Sequence, residues 1–114
     1  MRIKIAEIHF KDQKIEDYAI NKVSKLEKFH PGVKLVTIRL TLEKNHRTQN
    51  HTSFCELEFD MVGRDFVIKD SERQIDKAID KAVERAKRSL VRHKEKEVSK
   101  KHREATKVKR QIRN

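Results

Sequence analysis

Two segments near the middle of the chain alternate with a strict period of two. In Lys34–Leu42, Val36, Ile38, Leu40 and Leu42 share one side, and Leu35, Thr37, Arg39 and Thr41 share the other. In Ser53–Met61, Cys55, Leu57, Phe59 and Met61 oppose Phe54, Glu56, Glu58 and Asp60. Successive strand residues point to opposite faces, so both segments read as strands with one apolar and one wet face. The polar stretch Glu43–Thr52 joins them as a loop. An apolar sheet face needs a second layer to cover it.

The flanking sequence supplies that layer. Arg2–Phe10, carrying Ile3, Ile5, Ile8 and Phe10, reads as a first strand. Asp12 is placed to cap a helix over Gln13–Phe29, where Ile15, Ala19, Val23 and Leu26 share a face. His30-Pro31-Gly32 ends it. After Met61, Val62-Gly63 reads as a tight turn into a fourth strand, Arg64–Lys69. A long helix then starts at Ser71, with Gln74 completing a capping box, and runs at least to Lys96. The order β-α-β-β-β-α predicts an α/β chain of the two-layer α+β kind. Its four-stranded mixed sheet has strands one and two parallel, the rest antiparallel, and both helices on one face.

The second helix carries the most informative charge pattern. At ~100° per residue, Ile75, Ala78, Ile79, Ala82, Val83, Ala86 and Leu90 form one apolar stripe. Lys77, Lys81, Arg85, Arg88 and Arg92 fall within about 80° of one another on a different face, a rail roughly 22 Å long. Asp76, Asp80 and Glu84 flank it. Like charges at i, i+4 cost helix stability, so a rail of one sign points to an anionic partner. Lys25 and Lys28 add charge on the outer side of the first helix, and Lys22 sits at the edge of its apolar stripe. With 29 basic and 18 acidic residues the net charge is +11, and nucleic acid is the partner class that suits it best.

The segment 98–114 holds seven basic residues and one acidic one, +6 of that total, and reads as a basic tail on a domain spanning 1–97. Lys100, Lys101 and Arg103 are its candidate RNA contacts. The third strand offers Glu56, Glu58 and Asp60 on its wet face and no run of aromatics. RNA is therefore expected at the helices and loops, by backbone and shape recognition. The only cysteine, Cys55, excludes an internal disulfide. His46, His51 and Cys55 match no zinc spacing, two glycines cannot build a phosphate loop, and no nucleophile, base and orienter stand together. The reading is a protein that is not an enzyme, with no metal, cofactor or small-molecule substrate. No signal peptide or run approaching ~20 apolar residues is present, so a cytoplasmic protein without a membrane partner is expected.

Two segments resemble the ribosome hibernation-promoting factor family, also known as ribosome-associated inhibitors or sigma-54 modulation proteins. One is Lys22–Phe29 (KVSKLEKF), similar to the basic-apolar end of the family's first helix. The other is Ala78-Ile79-Asp80 followed by Lys81, Arg85, Arg88, Leu90, Arg92, His93, Lys94 and Lys96. Arg88-Ser89 stands where the family has Arg-Gln, and Gln74-Ile75-Asp76 where it has an acidic-x-aromatic pair. The resemblance implies a fold like that of double-stranded-RNA-binding domains. It also implies binding of the small ribosomal subunit, with its 16S-type rRNA, and of the 70S-type ribosome, in competition with mRNA and tRNA. Such a protein inhibits translation by steric occlusion and stabilises idle ribosomes in stress and stationary phase. A general structured-RNA binder or ribosome-assembly protein is the alternative reading, and a protein–protein modulator of transcription a further one.

Overall fold

The computed structural model describes the backbone of residues 1–113 and the side chains of residues 1–96. Its elements are β1 (Arg2–Ile8), α1 (Gln13–Ser24), a 3₁₀ turn (Lys25–Phe29), β2 (Val33–Lys44), β3 (His51–Met61), β4 (Phe66–Glu72) and α2 (Ile75–Arg113). The strands lie in the order β1-β2-β3-β4, with β1 parallel to β2 and the other pairs antiparallel. This is the four-stranded mixed sheet with two helices expected from the alternation.

The inward residues of the central strands, Val36, Ile38, Leu40, Cys55, Leu57 and Phe59, are fully buried. They meet Ala19, Val23 and Leu26 from the first helical segment and Ala78, Ile79, Ala82, Ala86 and Leu90 from α2. Burying each large aliphatic side chain contributes about 1.5–3 kcal/mol, and this shared layer holds α2 against β3 and β4. Asp12 caps α1 as expected, its Oδ1 accepting from the Lys14 N–H at 2.9 Å.

Several boundaries differ from the sequence reading. β1 ends at Ile8 and not Phe10, and its pairing skips one residue between Ile5 and Glu7. That bulge at Ala6 returns Ile8 to the inner side, which accounts for the spacing Ile3, Ile5, Ile8 that a regular strand cannot bury. The last turn of the first helical segment tightens to 3₁₀. The β2–β3 ladder extends to Lys44 paired with His51, which leaves only residues 45–50 as the loop. The β3–β4 connection is four residues, 62–65, in place of a two-residue turn. Gly63 adopts φ +87°, the left-handed conformation that favours glycine, and Asp65 Oδ1 accepts from the Met61 N–H at 3.2 Å to close the loop.

The capping box at Ser71 does not form. Ser71 pairs with Phe54 inside β4, which runs on to Glu72. The first helical hydrogen bond of α2 instead runs from the Ala78 N–H to the Gln74 carbonyl at 3.1 Å. The ladder partners of β4 outweighed the local cap.

Candidate nucleic-acid interface

The helical layer presents its cations on two sides of α2. On the side facing α1, Asp80 gathers a small cluster: Tyr18 donates its hydroxyl to Asp80 Oδ1 at 2.5 Å, and Lys22 Nζ lies 3.7 Å from the same oxygen. Lys22 is half-buried, with its ammonium 5.5 Å from the Tyr18 ring centroid. It bridges the two helices more than it projects from them. The carboxylate beside it pushes the Tyr18 phenol up to about 12, chiefly through the hydrogen bond. Lys25 and Lys28 are exposed on the 3₁₀ turn. Lys28 and Lys87 each place an ammonium 5.2 Å from the centroid of the Phe29 ring. Lys94 is exposed further along α2.

The rail itself lies on the other side, against β4. Lys77, Lys81, Arg85, Arg88 and Arg92 are all exposed. Two of the five meet carboxylates that β4 supplies. Lys81 Nζ sits 2.9 Å from Glu72 Oε1, which holds the Glu72 carboxyl below its ordinary range and the Lys81 ammonium above its own. Arg85 donates to Asp70 Oδ1 at 2.8 Å and to the Lys69 carbonyl at 3.3 Å. Arg88 has Glu84 at 3.8 Å, one helical turn back and in solvent. The rail is therefore graded. Its middle is tied to the sheet, and the cations without a carboxylate partner among the described residues, Lys77 and Arg92, stand at its two ends.

Arg92 does not stand alone there. With Ser89, His93 and Lys96 it lines a shallow cleft whose opposite wall is Arg64 of the β3–β4 loop. The His93 ring stacks on Phe66 with centroids 5.3 Å apart, and Phe66 stacks on the buried Phe59 at 4.7 Å. His93 is thus half-buried against the sheet, with less of it offered to a partner than the sequence reading implied. Arg64 was missed by sequence reasoning, since only the fold brings residue 64 beside residue 92. Lys87 was missed because helical spacing sets it apart from the rail. Lys100, Lys101 and Arg103 lie outside the described side chains.

The uncovered face of the sheet is different in kind. Arg39 lies 2.9 Å from Glu58 and 3.8 Å from Glu56, so the carboxylates of β3 are partly matched within the face. Its aromatic, Phe54, has the Lys69 ammonium 4.8 Å from the ring centroid. That face offers RNA neither a basic field nor an open stacking platform. His46 and His51 sit at the exposed hairpin while Cys55 points into the core, so the three are not brought together, and no metal-holding group of three occurs among the described residues. No helix among the described residues is long and apolar enough to cross a membrane.

Residues 3–98 match the family model described as sigma 54 modulation protein / S30EA ribosomal protein. Among solved structures, the N-terminal domain of Protein Y from Thermus thermophilus is similar, with a TM-score of 0.68 and 22% identity, covering 82% of this chain and 99% of that one. A ribosomal subunit interface protein from Coxiella burnetii is similar with a TM-score of 0.70 and 10% identity, covering 82% of this chain and 98% of that one. No curated protein sequence gives a significant match. At these identities the structural likeness establishes the fold.

Proposed function

Because the chain belongs to the sigma 54 modulation protein / S30EA ribosomal protein family of ribosome-associated proteins, we propose that it binds the small ribosomal subunit in the channel used by mRNA and tRNA and silences the ribosome by occupying it. The observation that carries this reading is the exposed run of cations along α2, from Lys77 to Lys96, joined at its far end by Arg64 from the sheet. Such a surface neutralises phosphates along a curved RNA backbone, and its affinity comes largely from counterion release. The partly matched carboxylates of the open sheet face turn that side away from RNA and give the docked protein one orientation. Inhibition then requires only that the protein and the normal occupants cannot fit together. No chemical turnover is needed, ribosome occupancy places the protein in the cytoplasm, and idle ribosomes are the particles it protects.

Co-sedimentation with purified small subunits, large subunits and 70S ribosomes tests this. The expected result is binding to small subunits and 70S ribosomes, competed by mRNA or tRNA. Equal binding to every particle and to bare RNA, without competition, would favour a general structured-RNA binder.

A further inference from the structure

We infer that the cleft between α2 and the β3–β4 loop is a seat for one phosphate group, gripped from opposite walls by Arg64 and by Arg92 with Lys96. The inference deepens the ribosomal reading and rests on it only for the source of the phosphate, the backbone of RNA. Ser89, Arg92, His93 and Lys96 follow one another at i, i+3, i+4 and i+7, so α2 delivers all four to one strip of its surface. Arg64 faces them from the loop whose path is set by Gly63 at φ +87° and by the bond from the Met61 N–H to Asp65. That bond also turns the neighbouring carboxylate of Asp65 toward the backbone of its own loop.

The charge arrangement distinguishes this place from the middle of the rail. Lys81 and Arg85 have carboxylates at 2.9 and 2.8 Å. Among the described residues, Arg64, Arg92 and Lys96 have no carboxylate within ion-pair distance. Three cationic side chains around one concavity repel each other until an anion enters. Two guanidiniums present planar forks of N–H donors suited to phosphate oxygens, Lys96 adds a point charge, and Ser89 adds a hydroxyl. The stack of Phe59, Phe66 and His93 ties the floor of the cleft to the core, so this stretch of α2 is held beside the β3–β4 loop before the ligand arrives.

The test is an NMR titration of the whole chain with inorganic tripolyphosphate, followed by competition with a short RNA stem-loop. The expected result is saturable shifts confined to Arg64, Ser89, Arg92, His93 and Lys96. Arg64→Ala should weaken that binding roughly tenfold or more, as loss of a charge-assisted hydrogen bond does. The equal-charge control Lys44→Ala should change it less than twofold, and an unchanged amide spectrum away from the loop shows that both variants fold. Displacement of tripolyphosphate by the stem-loop identifies the RNA backbone as the phosphate source. A stem-loop that binds elsewhere and displaces nothing overturns that source. Shifts spread evenly along α2, a titration that does not saturate, or indifference to Arg64→Ala overturns the seat itself, and does so even if ribosome co-sedimentation succeeds.

Discussion

Arg85 donates to Asp70 across 2.8 Å and so ties the middle of α2 to β4. The carboxylate it meets has only 13% of its side chain exposed, while the guanidinium is 55% exposed. One group thus belongs to the sheet and the other to the surface. The contact serves stability first and charge presentation second.

Arg85→Ala should therefore cost stability as well as RNA affinity. Leaving a mostly buried carboxylate without its donor costs about 1–3 kcal/mol, and the exposure of Arg85 puts the expectation near the lower end. The urea midpoint should fall with an unchanged slope, and Arg85→Ala combined with Asp70→Ala should cost less than the two singly. Strict additivity would mean the pair carries no coupling.

On the proposed ribosomal reading, the rail residues should contribute unequally to ribosome binding. Arg88→Ala with Arg92→Ala should weaken binding and flatten its salt dependence by about 0.9 in log–log slope per lost phosphate contact, if the duplex-DNA coefficient carries over. Lys81→Ala, which removes a charge already matched by Glu72, should change the slope less. A slope unmoved by losing Arg85, Arg88 and Arg92 together would rule out the rail as the contact surface.

Tyr18 is the only tyrosine, so phenolate absorbance reads it alone. The native protein should titrate near 12 instead of near 10, because Asp80 accepts its proton in a hydrogen bond. The folded phenol keeps its proton over a range where the unfolded chain has lost it. The stability this contributes is complete below pH 10 and is lost as pH rises toward 12. Asp80→Asn should bring the midpoint back toward 10, visible in an absorbance titration.

Cys55 is fully buried, and burial pushes its thiol up to about 12. An aromatic disulfide reagent should leave it untouched in the native protein and label it completely in denaturant. Rapid native labelling would show that the centre of β3 opens locally.

The sequence announced its sheet wherever one face is buried and the other wet, as in Val36–Leu40 against Cys55–Phe59. It announced the apolar stripe of α2 for the same reason: the period of the pattern is the period of the element. Ser71 misled because a hydroxyl followed three residues later by glutamine is a local signal, whereas pairing with Phe54 is a tertiary one. On the candidate interface, helical spacing found the rail cations but not the acids that meet two of them. Glu72 and Asp70 lie nine and fifteen residues before their partners, and only the packing of α2 against β4 makes them neighbours. Arg64 was hidden in the same way, beyond the reach of any periodicity.

The contact of Arg85 with the Lys69 carbonyl has a consequence for how the protein behaves in a crowded solution. β4 and β1 are the two outer strands of the sheet, and an open outer strand recruits further strands into aggregates. On one side α2 occupies a backbone acceptor of β4 and sets charged side chains along that margin. On the other, the bulge at Ala6 breaks the regular ladder of β1. Each feature interrupts the run of open backbone groups that an added strand would need along that margin.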